Sequence, residues 1–208
     1  MSTKNLLKRF MSLLFESICV LNGRVLNLKW HELRYHSAYS KLFGESPKKS
    51  ILAGLQIPIE FESGKVKLKI IYGQNQKEFS FQHYKTQKIE TLKIVHQNKL
   101  DYSLKYSERK TLDELFSLKE NCDDVLIVKN GEITDTSYGN VIFFDGTNWI
   151  TPKNPLLKGT CRARLISDQK AREQVIKVEH LKNFKGVKVI NAMRDLEQKM
   201  IPIENILL

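Results

Sequence analysis

The chain has 208 residues, 41% of them hydrophobic and 27% charged, the composition of an ordinary soluble globular protein with room for one large domain or two small ones. The net charge of +11 comes from Lys and Arg spread along the whole chain; it favours anionic ligands in general, and no nucleic-acid reading motif accompanies it. Three cysteines (Cys19, Cys122, Cys161) are odd in number and lack metal-ligand spacing, so free thiols in a reducing, cytoplasmic compartment are expected, with no metal site.

In chain order, MSTKNLLKRFMSLLF places charges ahead of a short apolar run. It has no small-residue cleavage site and not the length of a membrane span, so no membrane association is expected. Residues 15–20 and 23–28 read as strands around an Asn22-Gly23 turn. Residues 29–43 carry Trp30, Leu33, Tyr35, Ala38 and Leu42 at helical spacing, with Gly44 as the stop. A short second helix is expected over 50–55. Residues 66–72 (VKLKIIY) and 77–81 alternate like strands, and 91–95 is another. Residues 108–120 read as a helix with Leu112, Leu115, Phe116 and Leu118 on its apolar face. Strands follow over 124–129, 133–134, 141–145 and 149–150, the first two around Asn130-Gly131. A helix is expected over 161–166 after Gly159, then apolar segments at 181–184 and 187–190. The sum is a mixed α+β protein divided near residues 98–104, with domains at 1–100 and 101–208.

Four stretches hold residues suited to chemistry. In HELRYHSAY, His31 and Arg34 share a helix face; Arg34 can grip a phosphate as a rigid fork, or belong to a solvated face. In DYSLKYSERK, Lys105 lies where an extended segment gives way to a helix, and a lysine desolvated in a cleft becomes a nucleophile or base. In GEITDTSYGNVIFF, Asp135 follows a strand among hydroxyls that keep a carboxylate ionised; the other reading is an Asx-turn or ST-turn. In LLKGTCRARLI, Gly159 and Thr160 open a helix whose first N–H groups favour an anion, or form a plain glycine turn with a Thr cap. Taken in order, these features match the needs of a pyridoxal phosphate (PLP) enzyme: a Schiff-base lysine, an acid at the pyridine nitrogen and a phosphate cradle.

With those residues in view, the chain resembles the class IV aminotransferases, the PLP enzymes of fold type IV. That group includes branched-chain and D-amino acid aminotransferases and 4-amino-4-deoxychorismate lyases. FESICVLNGRVLNLKWHELRYHSAY resembles the family's strand, glycine turn and H-x-x-R helix. LKYSER resembles its lysine segment, with Lys99 and Lys110 as alternative lysines. DDVLIVKNGEITDTSYGNVIFF resembles its acid-strand-Asn pattern, and WITPKNPLLKGTCRARLI its phosphate turn.

The resemblance implies a shortened two-domain fold, with a small α/β N-terminal domain and a larger mixed-sheet pseudobarrel. It implies Lys105 as Schiff-base lysine and Asp135, in place of the usual Glu, at the pyridine nitrogen. Ser137, Tyr138 and Asn140 would form the wall around it. Arg34, Gly159, Thr160 and Cys161 would hold the phosphate. It further implies a homodimer acting on a small amino substrate. The activity expected is 4-amino-4-deoxychorismate lyase, which forms p-aminobenzoate and pyruvate for folate. The alternatives are an aminotransferase for a branched-chain or D-amino acid, a relative without catalysis, and, from outside the family, a basic nucleic-acid binder.

Overall fold

The computed structural model describes residues 13–208; most of the N-terminal run considered above lies outside the described residues. The chain forms two units. One holds the described residues through Lys85 together with Leu104–Glu108, and the other holds Thr86–Ser103 and Arg109–Leu208.

In the first unit, β1 (Leu14–Leu21), β2 (Arg24–Val25), β3 (Lys65–Tyr72) and β4 (Lys77–His83) make an antiparallel sheet in the order β2-β1-β3-β4. Asn22 (φ 49°) and Gly23 (φ 74°) are both left-handed, the geometry of a tight hairpin turn that matches strand twist. Along β3 buried and half-buried residues alternate strictly. Val66, Leu68, Ile70 and Tyr72 therefore face α1 (Leu28–Phe43) and meet Tyr35, Ala38, Tyr39 and Leu42, while Lys65, Lys67 and Lys69 take the other face. Gly44, at φ 81°, ends α1 by donating its N–H to Ser40 O at 2.9 Å.

The helix expected over 50–55 is a run of turns instead. Ala53 N–H bonds Ser50 O and Leu55 N–H bonds Leu52 O, Gly54 sits at φ 85°, and the Glu32 carboxylate takes the Ile51 N–H at 3.1 Å. So short a segment does not nucleate a helix when a side chain captures its backbone donors. Residues 104–108 return to this unit beside the start of β1: Phe15 N–H donates to Lys105 O (2.9 Å) and Ser107 N–H to Leu13 O (2.8 Å).

The second unit is a nine-stranded mixed sheet with two short α-helices. Its elements are β5 (Leu92–His96), α2 (Lys110–Ser117), β6 (Asp124–Lys129), β7 (Glu132–Thr136), β8 (Asn140–Phe144), β9 (Trp149–Pro152), α3 (Thr160–Ser167), β10 (Arg172–Gln174), β11 (Gly186–Ile190), β12 (Ile201–Pro202) and β13 (Ile206–Leu207). The path runs β10-β9-β8-β7-β6-β5-β13, with β11 pairing both β8 and β12. The β10/β9, β5/β6 and β13/β5 pairs are parallel.

The continuous apolar runs of β6 and β8 follow from burial on both faces. Leu126 and Val128 enter one core with Val141, Phe143 and Val187, while Val125 and Ile127 enter another with Leu112, Leu115 and Leu156. Ile142 faces a third core, with Leu165 and Ile190 over α3. Strands with two buried faces lose the polar alternation of a half-exposed strand. Phe143 is fully buried, with its ring 5.1 Å from that of Phe184. Phe143→Ala is expected to destabilise the protein by about 3–5 kcal/mol, measured as a lower urea midpoint.

Candidate active site

Asp135 lies where β7 changes partners. Between the pairs Leu126↔Thr136 and Val128↔Ile133, β7 spans one residue more than β6, a β-bulge that bends the strand and re-aims a side chain. The next pairing of β7 is with β8, Asp135↔Asn140. Although surrounded by hydroxyl residues in sequence, the Asp135 carboxylate is not held by any of them. Asn140 Nδ2 donates to Oδ1 at 2.8 Å, and the N–H of Leu157, 22 residues along the chain, donates to Oδ2 at 2.9 Å. Asn140 Nδ2 also donates to Leu157 O at 2.8 Å, so acid, amide and loop form a closed triangle. Burial pushes the Asp135 carboxyl up to about 7, against the lowering effects of those two bonds and the Arg162 charge.

The turn reading and the site reading separate by residue. Thr136 makes the turn: its N–H donates to Gly139 O at 2.8 Å, and its hydroxyl accepts the Gly139 N–H at 3.1 Å. Ser137 is buried, and its hydroxyl donates to Asp124 Oδ1 at 2.5 Å. Tyr138 is 54% exposed, with the Arg109 guanidinium 4.5 Å over its ring; Arg109 also donates to Ser137 O at 2.8 Å. Gly139 has no room for a side chain, because a β-carbon there would meet Ile190 O at 2.7 Å.

The triangle fixes the approach to α3. Gly159 precedes the helix in an extended conformation, and a β-carbon on it would collide with Asn140 Oδ1. Its carbonyl accepts the Ala163 N–H at 2.9 Å, leaving the earlier N–H groups of the first turn outside the helical bonding pattern. Thr160 and Cys161 are buried there. The Cys161 thiol faces Arg194 O and Asp195 Oδ1, both at 3.8 Å; burial, then the Asp195 charge, push it up to about 12, so it remains a thiol. Arg162 is buried and spends its terminal nitrogen on Pro152 O (2.8 Å) and Glu173 (2.5 Å).

In the first unit Arg34 is held by a residue that sequence reasoning passed over. Glu16, alone among apolar residues on the α1 side of β1, is fully buried. It accepts Arg34 Nε at 2.7 Å and a second Arg34 nitrogen at 2.5 Å, and it bonds His31 Nδ1 at 2.6 Å. Burial alone would raise the Glu16 carboxyl, but the Arg34 charge and the His31 hydrogen bond prevail and hold it at about 2. Lys105 places its Nζ 4.5 Å from the Phe15 ring centre, against the ring's negative face.

Asp135, Asn140 and Gly159 are thus brought together within the second unit, and Ser137 is tied to Asp124. Lys105 and Arg34 belong to the first unit. Glu16 had a legible signal, an acid inside an apolar strand followed by an H-x-x-R helix; Asp124, the second of two adjacent acids at a strand start, had none. Among the described residues no three His, Cys, Asp or Glu are placed to hold a metal, and no helix is long and apolar enough to cross a membrane.

Residues 13–206 match the family profile described as Amino-transferase class IV. A Haemophilus influenzae protein without a named function is 35% identical over 185 residues, spanning 88% of this chain and 98% of that protein. The crystal structure of a Haemophilus somnus protein, provisionally named a 4-amino-4-deoxychorismate lyase, is similar at 32% identity and a TM-score of 0.78, covering 89% of this chain and 98% of that one. A hypothetical Mycobacterium tuberculosis aminotransferase in its PLP-bound form shares the fold at 13% identity and a TM-score of 0.76, over 99% of this chain and 85% of that one.

Two outcomes follow from the geometry. Glu16 is ionised more readily folded than unfolded, so its contribution is complete above pH 4.5 and is lost as pH falls toward 2. Glu16→Gln is expected to remove about 3 kcal/mol at neutral pH and to flatten the acid limb over that window, followed by circular dichroism. Gly159→Ala is expected to displace Asn140 and cost about 1–3 kcal/mol, read as a lower melting temperature.

Proposed function

The chain belongs to the class IV amino-transferase family, and from that premise we propose that it is a PLP-dependent enzyme acting as a 4-amino-4-deoxychorismate lyase. The single observation that carries the cofactor reading is the Asp135 carboxyl. It is buried, pushed up to about 7, and pinned by two neutral donors, one on each oxygen. A carboxylate oxygen accepts two hydrogen bonds, so capacity remains for a charged donor. A protonated pyridine nitrogen is such a donor, and its charge offsets the burial that Asp135 otherwise bears. The loop that binds Asp135 runs directly into Gly159 and the first turn of α3, whose N–H groups and dipole suit a phosphate. The residues present therefore fit PLP.

When bound, PLP supplies an electron sink beside the substrate nitrogen. In this reading Lys105 provides the amine that carries the cofactor and then moves the proton at the substrate α-carbon. Asp135 keeps the ring nitrogen protonated, and Asn140 holds Asp135 at its task. Residues 159–161 receive the phosphate through backbone N–H groups, with the Cys161 thiol turned away toward Asp195. Arg34, oriented by Glu16, is assigned to the same phosphate, and Ser137 and Tyr138 to the wall around the ring. The product pair is p-aminobenzoate and pyruvate, on the route to folate, made by a cytoplasmic homodimer. The lyase assignment is supported by the 32% identity to the Haemophilus somnus protein.

The test begins with the visible spectrum of the purified protein with and without PLP. A Schiff-base band is expected, with loss of the band in Lys105→Ala; a band that survives there and disappears in a Lys99 or Lys110 variant would move the role. Release of p-aminobenzoate and pyruvate from 4-amino-4-deoxychorismate supports the lyase. Amino transfer that depends on a keto acid, without p-aminobenzoate, would replace it by an aminotransferase. Failure of borohydride to fix PLP on any lysine would mark a relative without catalysis.

A further inference from the structure

Asp124 has no part in the chemistry described so far, yet the residue is 1% exposed and its close hydrogen bonds gather on one oxygen. Oδ1 takes the Ser137 hydroxyl at 2.5 Å, the Val125 N–H at 2.8 Å and the Ser137 N–H at 3.3 Å. Oδ2 is buried and meets no hydrogen-bonding partner among the described residues. Leaving a buried carboxyl oxygen unsatisfied is unfavourable; the bonds that hold this acid gather on Oδ1, and the Thr136 side chain also acts on the carboxyl.

The place of Oδ1 in the sheet shows what these bonds do. The last backbone pair of β6 with β7 on this side is Leu126↔Thr136. Asp124 lies two residues beyond Leu126, where the two backbones part and β7 turns toward β8 at Asp135↔Asn140. The Asp124 carboxyl takes over from the ladder there, accepting the N–H and O–H of Ser137 in place of a strand carbonyl. The turn is clamped from other elements as well: Arg109 holds Ser137 O (2.8 Å) and Asn191 Nδ2 holds Tyr138 O (3.2 Å). Of these clamps the Asp124 pair is the buried one.

We infer that Asp124 is a positioning residue for Asp135: by fixing Ser137 at the end of the β6–β7 ladder it sets the strand exit that aims the Asp135 carboxyl at its ligand. This rests on the reading that Asp135 faces the ring nitrogen of PLP. The test uses the full chain with Asp124→Ala, Asp124→Asn, Asp135→Asn and the double variant Asp124→Ala/Asp135→Asn. The readouts are the dissociation constant for PLP and the position of the bound cofactor's visible band, both measured well below the melting temperature of each variant. Asp124→Ala is expected to weaken PLP binding on the order of tenfold, the scale for a partner that orients a ligating group, and to shift the band. Asp124→Asn keeps an oxygen for Ser137 and Val125 and is expected to restore both, which covers the case in which the alanine variant fails to fold. In the Asp135→Asn background, Asp124→Ala is expected to have no further effect.

Additive losses in the double variant, or Asp124→Ala and Asp124→Asn equally impaired, would overturn the inference. So would a lowered melting temperature with an unchanged band and affinity. If Asp135→Asn alone leaves both readouts at wild-type values, the assignment of Asp135 is itself at fault, and the inference falls with it.

Discussion

The second unit is organised around a hydrogen bond between a buried carboxylate and a backbone amide 22 residues away, Asp135 to Leu157. It ties the loop before α3 to the strand pair β7–β8. With it, and with Asn140 bonded to both partners, one side-chain cluster sets a strand exit, a loop and a helix start. Burying a charge this deeply is unfavourable unless its partners are good. Both donors to Asp135 are neutral, which is why its proton affinity stays high.

The first unit handles the same difficulty in the opposite way. Glu16 is as deeply buried as Asp135, but its partners are the forked guanidinium of Arg34 and the ring of His31. A cation at hydrogen-bonding distance outweighs desolvation, and the acid stays ionised far below neutrality. Two carboxylates of one chain thus differ by several pH units because one meets a cation and the other meets dipoles. The first suits a fixed scaffold contact; the second suits a place where a cation arrives with a ligand.

Most strands were legible because their patterns have direct physical causes. The two Asn-Gly pairs mark turns needing two left-handed residues, VKLKIIY marks a half-buried face, and VLIV and VIFF mark strands covered on both sides. What escaped has no side-chain signature. β10 (Arg172–Gln174) is exposed throughout and forms only because β9 offers an edge. The helix expected over 50–55 ignored Glu32, distant in sequence, which captures its backbone. At the site, Asp135, Asn140 and Gly159 could be named from spacing and resemblance, but the donor from Leu157 is a main-chain group that any residue except proline supplies. The role of Asn140 as the link between strand and loop appears only once both are in place. Asp124 was hidden for a related reason: an acid at the head of a strand usually faces water.

The pairing of β13 with β5 bears on how the protein comes to be made. Ile206 and Leu207 lie parallel to Leu92 and Lys93, and Lys93 Nζ reaches Leu208 O across 115 residues. During synthesis that edge of β5 has no partner strand until residue 206 has left the ribosome. An open strand edge is a template for pairing with a neighbouring chain, and long-range strand closure is slow. On a crowded polysome the vulnerable interval is therefore set by the time taken to translate the stretch between β5 and β13, and a chaperone that shields β5 during that interval covers the open edge.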